Sequence, residues 1–215
     1  MKILGMDEAG RGPAIGPMVV AGVMIEEGRE KDIEGVKDSK LLSHKLRLEF
    51  DEKIKKNTKY VIIEVNPDEI DNALESSDLN LNWLEAHKYA DIINELRPDK
   101  AIIDCPSPNC EAFEEYVRDL LEDKEVKLVV ENKADINHQT CSAASILAKV
   151  RREEKMDQIK EKYGNTGPGY PANPVTQKFI KENWNKHPEI FRHTWATLKN
   201  AKKMSAQNKL NDFDD

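Results

Sequence analysis

The chain has 215 residues, of which 39% are hydrophobic, which is enough to bury the core of one domain, or of one domain with an appendage. Its formal net charge is −7, so it is not a globally basic nucleic-acid coat protein, and any polyanion must be held by local positive charge or by metal. It has no apolar run near the ~20 residues of a membrane helix and no signal-peptide pattern, so we expect a cytoplasmic protein without a membrane partner.

The first third of the chain predicts three strands, with little helix between the first two. Residues Lys2–Met6 and Met18–Ile25 are apolar runs, and the second is so uniformly apolar that we expect both of its faces to be buried. The link between them, residues 10–17, is rich in glycine and proline, which predicts a tight, shaped loop. Ser43 is placed to cap a helix, and Tyr60–Val65 is the third strand.

Two further strands, Ala101–Asp104 and Lys127–Glu131, alternate with helices. This order predicts an α/β fold, a mixed five-stranded sheet flanked by helices, with a helical C-terminal region from about residue 164. Apolar residues thin out after residue 198, which predicts a flexible tail over residues 199–215. The predicted helices have apolar residues three to four positions apart and lie around Trp83–Ile93, at Asn109–Leu121, from Ala143 to Gly164 and after Asn173.

Acidic residues stand at the ends of predicted elements. Asp7 and Glu8 close the first strand, Asp104 closes the fourth, and Asp135 opens the segment before the long helix. Ligands of open α/β sheets bind beyond the carboxyl ends of strands, so Asp7 and Asp104 meet if these strands are neighbours. Adjacent strand residues point to opposite faces, so Glu8 joins them only if the strand bends or its longer side chain reaches round. The alternative is that these are solvated turn residues, since the chain has 40 Asp and Glu residues.

Several short motifs occur in a fixed order along the chain. They are GMDEAGRG at residues 5–12 with GP at 16–17, DSKL at 38–41, KAD at 133–135 with SAASILAKV at 142–150, and GPGYP at 167–171. Together they resemble the signature of the type 2 ribonucleases H, the ribonuclease HII family, and in particular its archaeal branch. The resemblance runs from residue 2 to about residue 198, so residues 1–198 are expected to form a ribonuclease H-like catalytic domain.

The resemblance implies an endoribonuclease that cleaves the RNA strand of RNA–DNA hybrids and nicks duplex DNA on the 5′ side of a single embedded ribonucleotide. By position, Asp7, Glu8, Asp104 and Asp135 are its four catalytic, metal-binding carboxylates. Mg²⁺ or Mn²⁺ suits such oxygen ligands, and two ions about 4 Å apart activate water and stabilise the leaving oxygen. The expected products carry 5′-phosphate and 3′-hydroxyl ends.

The resemblance also implies nucleic-acid contacts. Gly10, Arg11 and Gly12 correspond to the family's ribose sensor, where glycine lets the backbone approach a 2′-hydroxyl, and Tyr170 corresponds to the tyrosine that stacks on the next sugar. A plain tight turn and a packing tyrosine are the alternatives. The residues expected to contact phosphates are Ser39, Lys40, Lys133 and Lys149, with Arg151 and Arg152 continuing the track, although a solvated helix face explains such charges equally well.

One position departs from the pattern. Asn132 stands where archaeal relatives often have histidine, which is expected to change contacts near Asp135 without removing a ligand. None of the five histidines is placed as a catalytic base, and a metal-activated water does not require one.

The tail carries a second resemblance. Gln207, Leu210 and Phe213 have the spacing of a sliding-clamp interaction motif, in which two apolar side chains of one helical turn enter a pocket. Asp214 departs from it, because a second aromatic residue is usual there. An ordinary acidic tail is the alternative.

Two other classes of function compete with the nuclease. One is a non-catalytic nucleic-acid-binding or sliding-clamp adaptor protein on the same fold, which gains nothing from four mutually repelling carboxylates. The other is a nuclease or recombinase that acts only on DNA, which has no need of a ribose sensor. A phosphate-loop hydrolase is a remote alternative because residues 10–16 lack the Gly-Lys-Ser/Thr ending. A monomer is the expected oligomeric state.

Overall fold

The computed structural model describes the backbone of residues 1–36 and 42–211 and the side chains of residues 1–36 and 42–204. Within them, five strands form one sheet: β1 (Lys2–Ala9), β2 (Met18–Glu26), β3 (Lys59–Val65), β4 (Lys100–Asp104) and β5 (Lys127–Glu131). The strand order is β3-β2-β1-β4-β5. The pairs β1–β2 and β2–β3 are antiparallel, whereas β1–β4 and β4–β5 are parallel. The predicted mixed five-stranded sheet is confirmed.

Helices surround this sheet and continue beyond it. They are α1 (His44–Asn57), α2 (Pro67–Glu75), α3 (Leu81–Leu96), α4 (Cys110–Leu120), α5 (Ala134–Asn137), α6 (Gln139–Tyr163), α7 (Pro174–Asn183) and α8 (Ala196–Asn211). The hydroxyl of Ser43 accepts the Leu46 N–H at the start of α1, as its position predicted. The sequence patterns missed α2 and α5, which are short and have few apolar repeats. No helix in the described part of the chain is long and apolar enough to cross a membrane.

Both faces of β2 are buried, because helices cover both sides of the sheet. Val19, Ala21 and Val23 pack with the apolar residues of α6, while Val20 and Met24 belong to the core under α3 and α4. This explains why the strand is apolar at consecutive positions from Met18 to Ile25 rather than at alternate ones.

Helix α6 approaches β1 very closely at Gly5. A Cβ atom at this glycine would overlap the α6 backbone at Thr140 and Cys141. The absent side chain therefore sets the distance between the sheet and the helix that follows Asp135.

The C-terminal region closes over the loop between β1 and β2. Ala14 N–H donates to Gly169 O at 2.8 Å, and Gly16 N–H donates to Ile190 O at 2.9 Å. Ile15 and Phe191 form a bridge and share a small core with α7. The loop is thus held in shape by residues more than 150 positions away.

The backbone after residue 198 is helical as far as Asn211, whereas the sequence predicted a flexible tail over residues 199–215. Helix α8 runs across residue 199, where the flexible segment was expected to begin, and ends at Asn211. Its Ala, Lys, Met and Gln residues favour a helix even though few of them are apolar. Gln207 and Leu210 lie on this helix, in the part whose side chains are not described. Phe213 lies outside the described residues, as do Ser39 and Lys40.

Candidate active site

A carboxylate cluster lies at the carboxyl ends of two neighbouring strands. The parallel register pairs Met6 with Ile103, so the next residues, Asp7 and Asp104, stand side by side. Asp135, in the first turn of α5, completes the group, and one oxygen of each of these three side chains lies within 4.8 Å of the others. The predicted meeting of Asp7, Asp104 and Asp135 is therefore observed, and we call these three residues the carboxylate cluster.

The backbone around the cluster holds its oxygens in place. Glu8 N–H donates to Asp7 Oδ1 at 2.7 Å, and Ala134 N–H donates to Asp104 Oδ1 at 3.1 Å. Lys133 adopts a left-handed backbone, φ 64°, which turns the chain from β5 into α5 and brings its own N–H and that of Ala134 to Asp104. A non-glycine residue in this conformation marks a turn that the surrounding structure enforces.

Burial and neighbouring negative charges raise the pKa of two carboxylates of the cluster, Asp7 and Asp104. Burial raises the pKa of Asp7 well above its usual value, and the charge of Glu8 adds to the effect. Burial, followed by the charge of Asp135, raises the pKa of Asp104 to about 6. A cation bound at the cluster would offset the repulsion that acts on Asp7 and Asp104 and lower their pKa values again. Three hard oxygen ligands in this arrangement fit a divalent ion such as Mg²⁺ or Mn²⁺.

Glu8 lies beside the cluster but is oriented toward α3. Its Oε2 accepts the Tyr89 hydroxyl at 2.7 Å, whereas Asp7 on the opposite face is bonded by the Ser145 hydroxyl of α6. This is the alternation expected of a regular strand, since β1 continues to Ala9 without bending at Glu8. The structure brings three of the four predicted ligands together and leaves Glu8 adjacent to them.

The residues at positions 10–12, here called the glycine loop, follow β1 directly. Gly10 has φ 84°, and a Cβ atom there would overlap the Arg152 side chain, so both conformation and packing require glycine. The Arg11 guanidinium pairs with the buried Glu85 and also donates to Asn82 Oδ1 at 2.5 Å. Arg11 therefore anchors the glycine loop to α3.

Tyr170 stands beside the glycine loop with 45% of its surface exposed. A Cβ atom on Gly12 would lie 3.9 Å from its ring. Arg152, buried on α6, places its guanidinium carbon 5.5 Å from the ring centre and donates to Pro168 O at 3.2 Å. Arg152 thus supports the tyrosine and its loop from below. These groups border a cleft of about 780 Å³ that also reaches Glu8 and Lys149.

The sequence matches the family model of ribonuclease HII over residues 4–198. The chain belongs to the ribonuclease HII family. The ribonuclease HII of Thermococcus sibiricus is 42% identical over 207 residues, which cover 93% of this chain and 90% of that protein. The crystal structure of ribonuclease H2 from Pyrococcus horikoshii matches with a TM-score of 0.85 and 36% identity, over 95% of this chain and 98% of that one.

A second solved relative is the ribonuclease HII of a PCNA complex from Archaeoglobus fulgidus. It matches with a TM-score of 0.81 and 36% identity, over 93% of this chain and 96% of that one. These findings confirm the family resemblance and the ribonuclease H fold. As a ribonuclease HII, the chain is an endoribonuclease.

Within the described part of this ribonuclease HII, the four basic residues expected to form a track do not form a continuous one. Lys133 is exposed beside the cluster, and Lys149 lines the cleft. The Arg151 guanidinium instead forms ion pairs with Glu64 and Glu154, and Arg152 is buried under Tyr170. Arg152 was expected to contact phosphate, but its position indicates a supporting contact to the tyrosine loop.

Sequence reasoning missed a polar stripe on α3. Asn82, Glu85 and Tyr89 are spaced three and four residues apart on α3, and together they bind Arg11 and Glu8. Polar residues at this helical spacing were the signal that could have revealed it.

Asn132 supports the loop that follows Asp104. Its side-chain amide donates to Cys105 O at 3.0 Å and to Ser107 O at 2.9 Å. The residue thus ties the end of β5 to the end of β4, the strand that presents Asp104.

The raised pKa of Asp104 predicts a pH-dependent response to divalent ions. Between its usual value near 4 and about 6, the folded carboxyl binds more protons than the unfolded one, so this group's contribution to stability declines as pH rises through this range. A cation that binds the ionised carboxylates of the folded protein stabilises it more as pH rises, which opposes this decline. In calorimetry at pH 7.5, Mg²⁺ at 100 times its Kd should raise the Tm of EDTA-treated protein by roughly 5–10 °C, and by much less at pH 5.

The control for this experiment is Asp104→Asn, which lacks the titrating group. Its Tm should respond weakly to Mg²⁺ at both pH values. An equal rise at pH 5 and pH 7.5 in the wild-type protein would contradict the cluster as the cation site.

Proposed function

We propose that this ribonuclease HII hydrolyses the RNA strand of RNA–DNA hybrids and also incises duplex DNA on the 5′ side of a single embedded ribonucleotide. The observation that carries the proposal is the position of the carboxylate cluster beside the glycine loop. Asp7 of the cluster and the glycine loop are separated along the chain only by Glu8 and Ala9, and the cleft bordered by Glu8, the glycine loop and Tyr170 begins there. Hydrolysis at a ribose needs these two elements together, one for the phosphate and one for the sugar.

Asp7, Asp104 and Asp135 are the proposed ligands, with Glu8 as the fourth. Two Mg²⁺ or Mn²⁺ ions would supply the Lewis acidity that generates the attacking hydroxide and stabilises the leaving 3′ oxygen. The protein fixes the carboxylates through backbone N–H groups and the Ser145 hydroxyl, so little reorganisation is needed when a substrate binds.

The glycine loop is proposed to read the ribose. Gly10 and Gly12 carry no Cβ atom, so the backbone polar groups of the loop can approach a sugar closely. The 2′-hydroxyl, as donor and acceptor, distinguishes RNA from DNA at such a site. The proposed phosphate contacts are Lys133 and Lys149, which lie beside the cluster and the cleft, and also Ser39 and Lys40.

The experiment that tests the proposal uses three labelled duplexes: DNA with one ribonucleotide, the same duplex without it, and an RNA–DNA hybrid. With Mg²⁺ we expect a single cut 5′ of the ribonucleotide, cleavage of the hybrid, and no cut in DNA, with all activity lost in EDTA. Cleavage of the hybrid alone would refute the embedded-ribonucleotide activity. Cleavage of the all-DNA duplex would refute ribose reading.

Tyr170→Ala is expected to lower incision at the single ribonucleotide by roughly 10-fold to 100-fold, since stacking on an aromatic ring contributes about 1–3 kcal/mol. Tyr170→Phe keeps the ring and separates stacking from any hydroxyl contact. Both variants should melt near the wild-type temperature because the ring is largely exposed. Unchanged kcat/KM in Tyr170→Ala would exclude the stacking role.

We also propose that the C-terminal segment binds a sliding clamp through Gln207, Leu210 and Phe213. The Archaeoglobus fulgidus relative was solved as a complex with PCNA, which supports this partner. Deleting residues 205–215 should leave the cleavage rate unchanged and abolish co-elution with the clamp. Binding that survives both the deletion and the double variant Leu210→Ala/Phe213→Ala would place the interaction elsewhere.

A further inference from the structure

The three carbonyls of the glycine loop each accept a hydrogen bond from one distant segment, residues 191–195, here called the C-terminal strap. Arg192 donates from Nη2 to Gly10 O at 2.6 Å and from Nη1 to Arg11 O at 2.8 Å. Trp195 donates from Nε1 to Gly12 O at 3.1 Å. Three successive peptide groups of the loop are thus bonded from the side of the strap.

The Arg192 side chain is fully buried, and its guanidinium donates hydrogen bonds to backbone carbonyls. Its Nε also donates to Gly16 O at 3.1 Å, and among the described residues it forms no ion pair with a carboxylate. Its guanidinium carbon lies 5.0 Å from the centre of the Trp195 ring, so one side chain supports the other. Burying an unpaired guanidinium is costly unless its donors are satisfied, and here the acceptors are the carbonyls of the loop.

The strap is itself fixed to α2. The carboxylate of Asp71 accepts the His193 N–H at 2.6 Å and the Thr194 N–H at 2.9 Å. Arg192 N–H donates to Ala14 O at 3.0 Å. The donors that reach the glycine loop therefore project from a backbone that is held on both sides.

The glycines of the loop are the reason why its backbone needs these hydrogen bonds. Peptide groups next to glycine rotate with little steric resistance, so a loop with glycine at both ends has several backbone conformations available. A hydrogen bond to each carbonyl selects one of them. The N–H groups of Arg11 and Gly12, which share peptide planes with the Gly10 and Arg11 carbonyls, are then fixed as well, whereas the plane of the Gly12 carbonyl ends in Pro13 and presents only its oxygen.

We propose that Arg192 and Trp195 are positioning residues for ribose recognition, because they fix the peptide planes of residues 10–12 that face the sugar. This inference rests on the proposed function of the glycine loop. According to this proposal, the C-terminal strap contributes to the selectivity for a ribonucleotide over a deoxyribonucleotide as well as to the stability of the fold.

Trp195→Phe tests the inference with the smallest change, since it keeps an aromatic ring over Arg192 and removes only the Nε1–H donor. We expect kcat/KM on the single-ribonucleotide duplex to fall roughly 3-fold to 10-fold, as for one lost hydrogen bond. The inhibition constant of an all-DNA competitor duplex should stay unchanged. Trp184→Phe, a tryptophan in the same region outside the cleft, is the matched control and should behave as wild type.

Arg192→Lys gives a second, independent variant. A single ammonium group cannot reach the three carbonyls that the guanidinium spans, so the loss of kcat/KM should exceed that of Trp195→Phe. Wild-type kinetics in both variants would overturn the inference, as would an equal loss of affinity for the all-DNA competitor together with a lower Tm. A wild-type protein that does not cut the single-ribonucleotide duplex would instead refute the proposed function.

Discussion

Asp7→Asn is expected to lower the rate of hydrolysis by roughly a thousandfold or more, while the protein remains as stable as the wild type or becomes more stable. Asp7 is 6% exposed and belongs to the carboxylate cluster. Loss of a cation ligand removes several kcal/mol of transition-state stabilisation. Its charge is costly to bury, as the raised pKa of its carboxyl indicates, so a neutral amide of the same shape should not destabilise the fold.

The measurement pairs single-turnover cleavage with a thermal melt in EDTA and in Mg²⁺. Asp91→Asn, an exposed change on α3, is the matched control. Asp7→Asn should lose both cleavage and the rise in Tm with Mg²⁺. Cleavage within tenfold of wild type would contradict the assignment of Asp7 as a ligand.

Gly5→Ala is expected to destabilise the protein by roughly 3 kcal/mol or more. The added Cβ atom would meet the backbone of α6 at Thr140 and Cys141, and a backbone cannot yield as a flexible side chain can. The helix must move as a unit, which shifts Ser145 and Lys149 relative to the cluster. Activity should therefore fall together with stability.

Gly28→Ala is the matched control for this prediction. Gly28 has φ 89° but open space around it, so its substitution should cost only about 1 kcal/mol of backbone strain. Urea denaturation of both variants gives the comparison. A loss in Gly5→Ala no larger than that in Gly28→Ala would show that α6 adapts to the added atom.

The sequence was sufficient for the sheet and for most of the carboxylate cluster. Strand β2 has no polar side chain from Met18 to Ile25 because both of its faces are covered, and that pattern is visible in the local sequence. The sequence predicted that Asp7 and Asp104 meet if the first and fourth strands are neighbours, because the carboxyl ends of parallel strands lie at one edge of the sheet, and the structure supplied that adjacency. The family motifs identified the same residues independently.

The orientation of Glu8 and the contacts of α3 were not predictable from the pattern. A strand directs alternate side chains to opposite faces, but which helix covers each face depends on chain topology. Only the folded protein shows that Tyr89 bonds Glu8 and that Glu85 pairs with Arg11. Arg152 illustrates the same limit, since a basic residue of α6 looks alike in sequence whether it faces phosphate or the underside of Tyr170.

The sequence by itself determined the family, the five strands, the burial of both faces of β2 and the identity of the acidic residues, because these depend on local composition and on motifs in a fixed order. Tertiary structure alone decided how the glycine loop is held. Its carbonyls are bonded by Arg192 and Trp195, about 180 residues away. Hydrogen bonds between such distant segments leave no periodic pattern in the chain, so they become visible only when the C-terminal region folds back over β1.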